Sequence, residues 1–135
     1  MKKQLLLPLL ITIIIIILEI LPYGAVMVMA EPYGGGIRST YSYFSLLPYG
    51  YANFGPLLTA VASCVLLVLS IIMLASRKKG IITAFLIVSA AALVFSMLPC
   101  LYGWKFLSLT GIIISLLLGC EVYLGWRLRN PKSKN

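Results

Sequence analysis

The stretch QLLLPLLITIIIIILEIL, Gln4 to Leu21, decides the fold class of this chain. It is a continuous apolar run whose one charged residue is Glu19. A run of this length crosses a hydrocarbon core of about 30 Å as a helix of ~20 residues. Because its apolar residues do not alternate with polar ones, the pattern predicts a membrane-spanning helix and not a barrel strand.

Three further apolar runs of similar length follow the first. Hydrophobic residues make up 61% of the 135-residue chain and charged residues only 10%, against about 25% in soluble domains. We therefore predict an all-α membrane protein of one domain, a four-transmembrane-helix bundle with spans at residues 4–21, 56–75, 81–98 and 106–126. Residues 22–55 are expected to form an aromatic-rich outer loop, and residues 127–135 a cytoplasmic tail.

The lysines and arginines predict the orientation of the bundle. Nine of the eleven flank the spans on one side, against Arg38 and Lys105 on the other. The nine are Lys2, Lys3, Arg77, Lys78, Lys79, Arg127, Arg129, Lys132 and Lys134. Both termini are therefore expected in the cytoplasm, and the net charge of +8 indicates membrane orientation and not nucleic-acid binding.

A cleavable secretory signal is the competing interpretation of the first run. Lys2, Lys3 and the sequence Val28-Met29-Ala30 resemble the ends of such a signal. The apolar run is longer than the usual ~7–15 residues, however, and Ala30 lies well beyond its end. We favour an uncleaved first helix.

The outer loop contains three Pro-Tyr-Gly triplets, beginning at Pro22, Pro32 and Pro48. Each triplet fits a type I turn with proline second and glycine fourth. Residues 39–47 fit either a short interfacial helix or an extended strand. Uncharged aromatic residues suit the membrane–water boundary, so the loop is expected to lie on the membrane surface without projecting from it. The residues of the loop that we assign to a contact surface for a partner or lipid are Tyr41, Tyr43, Phe44, Tyr49, Tyr51 and Phe54.

Two acids within the apolar runs are candidate functional residues, since an acid inside a span is costly. Glu19 lies near the outer end of its run, so we interpret it first as an interfacial acid near Lys105 or Arg38, with a proton or cation site as the alternative. Glu121 is expected to form an ion pair with a basic residue at the cytoplasmic face, namely one of Arg77, Lys78, Lys79 or Arg127. Placed near opposite faces of the membrane, the two acids are not expected to form a catalytic dyad.

Gly111, Ser115 and Gly119 form a stripe of small residues in the fourth run. Such a stripe lets another helix approach closely, either within the bundle or in a homodimer. Ser89, Ala92 and Ser96 of the third run are candidates for the facing groove.

Histidine is absent and the three cysteines lie far apart. The chain therefore lacks the usual ligands of zinc and haem, and its cysteines do not form a disulfide framework. We predict no metal, no cofactor and no enzymatic activity.

The outer segment YSYFSLLPYGYANFGP, Tyr41 to Pro56, followed by CVLLVL at Cys64 to Leu69, resembles small four-span membrane proteins of Gram-positive bacteria. The sequence LPYGAV, Leu21 to Val26, belongs to the same resemblance. The resemblance implies a four-span architecture and a plasma-membrane location. It implies no particular activity.

These patterns support two hypotheses about function. The first is an accessory or scaffold membrane protein whose outer loop contacts a membrane-protein partner, a second copy of the chain or membrane lipids. The alternative is a small proton- or cation-coupled transporter that uses Glu19. The first is preferred at this point because Glu19 is expected near the interface, and because the charge bias fixes one orientation whereas dual-topology transporters have nearly balanced ends.

Overall fold

A computed structural model describes residues 2–131 of the chain. Lys132 and Lys134, part of the expected cytoplasmic tail, lie outside the described residues. In chain order the elements are α1 (Lys2–Ile20), β1 (Ala25–Ala30), β2 (Gly36–Tyr41), α2 (Leu46–Gly50), α3 (Gly55–Ala75), α4 (Lys79–Leu101), a 3₁₀ turn (Trp104–Phe106) and α5 (Leu109–Arg129).

Four of the helices, α1, α3, α4 and α5, are long and apolar enough to cross a membrane. The fold is mostly helical, and the prediction of four helices with the length and apolar composition of membrane spans is confirmed. Helix α1 contacts α3 and α5, and α4 contacts the same two helices. The four helices therefore close into a bundle.

Apolar side chains occur both in the interior and on the outer surface of the bundle, as expected for a protein surrounded by lipid. Large apolar side chains such as Leu66, Phe85 and Leu118 are fully buried in the interior. Others, such as Ile17, Val68 and Val94, are exposed along the spans. Lipid tails solvate such side chains, so their exposure is inexpensive within a bilayer.

The ends of two helices differ from the predicted spans for local reasons. Helix α5 begins at Leu109, not at residue 106, because the Ser108 hydroxyl accepts a hydrogen bond from the Gly111 N–H at 2.9 Å and caps the helix. Helix α4 continues through Pro99 to Leu101. Because Pro99 has no N–H, the Phe95 carbonyl lacks its usual helical donor, and α3 approaches this oxygen at Gly55.

The segment between α1 and α3 contains a β-hairpin, which corrects the all-α prediction. Strands β1 and β2 pair antiparallel from Ala25 opposite Tyr41 to Ala30 opposite Gly36. The turn predicted at Pro32 closes the hairpin, with the Gly34 N–H donating to the Glu31 carbonyl at 3.3 Å. The two β-branched valines of AVMVMA favour a strand, and its first three residues are all buried.

The rest of the segment also differs from the expected surface loop. The base of the hairpin at Ala25–Met27 is buried against the bundle, whereas residues 29–38 are exposed. The triplet that begins at Pro48 lies in helix α2 and is not an isolated turn. Residues 39–47 divide between the two structures that their pattern allowed, with Ser39–Tyr41 in β2 and Leu46 and Leu47 in α2.

Candidate functional site

A set of polar side chains lines the interior of the bundle, which we call the polar core: Thr12 and Glu19 of α1, Ser63 and Ser70 of α3, and Glu121 of α5. All five are fully buried. In α1 and α3 the two members are seven residues apart, a spacing that places them on one helix face. Two of the three acids in the chain therefore lie inside the bundle.

The inner half of the polar core is built around Glu121. The hydroxyl Oγ1 of Thr12 lies 2.5 Å from Glu121 Oε1, 2.9 Å from the Pro8 carbonyl oxygen and 3.5 Å from Ser70 Oγ. A threonine hydroxyl has one proton, so it cannot donate to both the carboxyl and the carbonyl. A protonated Glu121, which donates to Thr12 while Thr12 donates to Pro8, satisfies both contacts.

The outer half of the polar core is built around Glu19. The Ser63 hydroxyl donates to Glu19 Oε1 at 2.7 Å. The backbone N–H of Tyr43 donates to the Glu19 carbonyl at 2.9 Å, which ties the end of α1 to the segment that follows β2. Oε2 of Glu19, like Oε2 of Glu121, is buried and has no hydrogen-bond partner among the described residues.

The position of Glu19 corrects the interpretation of this residue as an interfacial acid. Its depth was judged from the end of α1, but Tyr43 and the base of the hairpin cover that end. Arg38, one of its expected neighbours, instead donates to the Leu107 carbonyl at 2.7 Å. Glu19 is consequently an interior acid.

The surroundings of Glu121 also differ from the prediction. The predicted hydrogen-bond partner was a basic residue at the cytoplasmic face, and the structure gives the Thr12 hydroxyl instead. Thr12 lies near the middle of α1, so Glu121 is also deeper than expected. Seven residues of helix separate Thr12 from Glu19, so the two acids lie about 10 Å apart along the bundle axis and not at opposite faces.

Tyr43 lies at the outer end of the bundle and is only 2% exposed, which removes it from the predicted contact surface. A Cβ atom added at Gly24 would lie 2.7 Å from its ring, and one added at Gly111 would lie 3.0 Å from its hydroxyl. The ring therefore occupies a slot between two glycines. Burial raises the pKa of Tyr43, and the Ser96 hydroxyl partly offsets that effect.

The other aromatic residues assigned to the contact surface remain at least partly accessible. Phe44, Tyr49, Tyr51 and Phe54 are exposed, and Tyr41 is half-buried. The rings of Tyr49 and Phe54 meet edge to face with centroids 4.9 Å apart. This surface therefore surrounds α2 and does not extend to Tyr43.

The small-residue stripe of α5 has different surroundings along its length. Ser115 shares a hydrogen bond of 2.7 Å with Ser96 of α4, and Gly111 accommodates the Tyr43 hydroxyl. A Cβ added at Gly119 would meet no atom of another described helix within 4 Å, so this glycine is not a point of close approach between those helices. Gly125, which the sequence did not single out, is such a point, because its Cβ would lie 3.3 Å from Phe85.

Sequence reasoning missed Thr12, Ser63 and Ser70 as functional candidates. The available signal was the repeated spacing of seven between polar residues in otherwise apolar helices, Thr12 to Glu19 and Ser63 to Ser70. Two such pairs in neighbouring spans predict a shared polar interior.

No known protein family, curated protein or solved structure matches this chain. Within residues 2–131, no three His, Cys, Asp or Glu side chains lie together as metal ligands.

Proposed function

We propose that this protein is a small proton-translocating membrane protein in which Glu19 and Glu121 carry the protons. The observation that carries this proposal is the full burial of both carboxyl groups, each with one oxygen that lacks a hydrogen bond among the described residues. An ionised carboxylate in such a place costs far more than a neutral acid. Intramembrane acids of this kind mark proton relays in pumps and transporters.

The oxygen atoms around each acid favour a proton over a metal cation. Hard cations such as Ca²⁺ take about 6–8 oxygen ligands. Among residues 2–131, the side-chain hydrogen bond of Glu19 is with Ser63 and that of Glu121 is with Thr12. One hydroxyl at each acid suits a proton and supplies far too few ligands for a metal ion.

The hydroxyls of the polar core provide intermediate positions for a proton. Thr12 lies within 3.5 Å of both Glu121 and Ser70, and Ser63 lies at Glu19. A hydroxyl both donates and accepts, so it relays a proton without holding a charge. The remaining distance of about 10 Å along the axis is bridged by water or by helix motion during transfer.

The proposed location is the plasma membrane, with both termini in the cytoplasm. The bias of lysines and arginines supports this orientation. In it, Glu121 is the acid nearer the cytoplasm and Glu19 is the acid nearer the outside.

Proton flux into reconstituted vesicles tests the proposal. A pH-sensitive dye is trapped inside, and a potassium diffusion potential drives protons inward. We expect the wild type to acidify the interior faster than protein-free vesicles, and Glu19→Gln and Glu121→Gln to abolish the difference. Glu31→Gln is the matched control, because Glu31 is an exposed acid in the hairpin turn. Equal flux in the wild type and protein-free vesicles, or equal loss in Glu31→Gln, contradicts the proposal.

A second candidate function is the accessory or scaffold role, which the exposed aromatic surface around α2 favours. Tyr49, Tyr51 and Phe54 present exposed aromatic rings at the end of the bundle, two of them with hydroxyl groups, and aromatic residues are enriched at contact surfaces. Co-purification in mild detergent with mass spectrometry tests this role. A membrane-protein partner that is lost in the Tyr49→Ala/Tyr51→Ala variant supports it, and recovery of the same proteins with that variant contradicts it.

A further inference from the structure

A pocket of about 310 Å³ lies between α4 and α5, below the base of the hairpin, separate from the polar core. Its volume is at the lower limit for small-molecule sites, about 300–1,000 Å³. Met97 of α4 and Ile112 and Leu116 of α5 line it and are exposed along their spans. Because exposed side chains of the spans face lipid, the pocket opens sideways into the bilayer.

Among the residues that the structure describes, no charged side chain lines this pocket. A buried charge without a partner is costly, so an ionic headgroup is a poor occupant. The lining is mostly aliphatic and aromatic, which suits a hydrocarbon chain. These two facts restrict the occupant to an uncharged molecule that is soluble in the membrane.

Hydroxyl groups lie on the buried side of the pocket. Ser108 donates to the Gly24 carbonyl at 2.5 Å, Ser115 donates to the Gly111 carbonyl at 2.9 Å, and Ser96 shares a hydrogen bond with Ser115. The protons of the Ser108 and Ser115 hydroxyls are therefore already donated within the protein. The oxygens of these serines retain lone pairs that can accept a hydrogen bond from a ligand hydroxyl, and Tyr43, which also carries a hydroxyl, lines the pocket as well.

From this geometry we propose that the pocket binds a neutral lipid with a free hydroxyl group, of the diacylglycerol class, that enters from the bilayer between α4 and α5. The hydroxyl donates to the serine oxygens on the buried side. One acyl chain leaves past Met97, Ile112 and Leu116. This assignment does not depend on proton translocation by the polar core.

Photolabelling tests the proposal with a diacylglycerol that carries a diazirine in one acyl chain, added to the full chain in lipid nanodiscs. Ile112 and Ile113 provide a matched pair, since they are neighbours in α5 and are 44% and 40% exposed, but only Ile112 lines the pocket. We expect Ile112→Trp to reduce labelling of the α4 and α5 peptides about tenfold, because the indole would occupy the space of the acyl chain; a tenfold loss corresponds to ~1.4 kcal/mol of binding free energy. Ile113→Trp retains the labelling.

Competition and a second variant keep the result decisive. Unlabelled diacylglycerol displaces the probe, whereas phosphatidylglycerol with the same chains does not. Leu116→Trp fills the pocket from another position and gives the same loss if Ile112→Trp fails to fold. Equal labelling of the Ile112→Trp and Ile113→Trp variants, or equal displacement by the two lipids, overturns the proposal and identifies general contact with the surrounding lipid.

Discussion

Each buried carboxyl group has a hydroxyl at one oxygen and no hydrogen bond at the other among the described residues. This arrangement suits a neutral acid, because a carboxylate without a compensating charge is unstable in the interior of a membrane protein. Glutamine has nearly the same shape as protonated glutamate and also donates a hydrogen bond. The effect of a glutamine substitution on the free energy of unfolding therefore distinguishes the two cases. It is small if the glutamate is a neutral acid and large if the glutamate belongs to an ion pair.

We expect Glu121→Gln to change the free energy of unfolding by no more than about 1 kcal/mol, since the hydrogen bond with Thr12 is kept. The ion pair expected from the sequence would make the loss larger, because the substitution would leave a buried basic residue without its counter-ion. Thermal unfolding in detergent distinguishes the neutral acid from the ion pair. A loss of about 3–5 kcal/mol would restore the ion-pair interpretation.

Tyr43 is the residue whose role changes most between sequence and structure. We expect Tyr43→Ala to destabilise the bundle by about 3–5 kcal/mol, as removal of a buried aromatic ring does. Tyr51, which is 66% exposed, is the control, and its substitution by alanine should stay within about 0.5 kcal/mol. Equal melting temperatures of the two variants would show that Tyr43 does not occupy its slot.

At the scale of elements, contact between helices depends on particular glycines. The start of α3 approaches α4 at Gly55, where an added Cβ would lie 2.6 Å from the Phe95 carbonyl oxygen. That oxygen lacks a helical partner because Pro99 has no N–H. The contact between α3 and α4 therefore depends on both residues: Pro99 removes the helical donor of the Phe95 carbonyl, and Gly55 lets α3 approach that oxygen.

We expect Gly55→Ala to destabilise the protein by about 1–3 kcal/mol through overpacking. Gly119→Ala should be neutral or stabilising by up to about 1 kcal/mol, because its Cβ meets no atom and alanine favours helix. The two melting temperatures in detergent check this pair. The opposite order would mean that α3 and α4 are not in contact at Gly55.

At the scale of the whole molecule, the sequence predicts the four spans because hydropathy is a local property of each run. It does not predict the polar core, because Thr12 and Glu121 meet across more than a hundred residues of chain. The slot for Tyr43 likewise joins Gly24 and Gly111. The hairpin is missing from the prediction for a different reason: the apolar residues of the AVMVMA strand do not alternate with polar ones, so only the flanking Pro-Tyr-Gly turns are evident in the sequence.

The central claim is that Glu19 and Glu121 hold protons inside the bundle, and infrared spectroscopy of the protein in lipid nanodiscs at neutral pH tests it most directly. We expect the carbonyl stretch of protonated carboxyl groups in the wild type. This band should weaken in Glu19→Gln and in Glu121→Gln and stay unchanged in Glu31→Gln, whose acid is exposed. A wild-type spectrum with carboxylate bands alone would contradict the account.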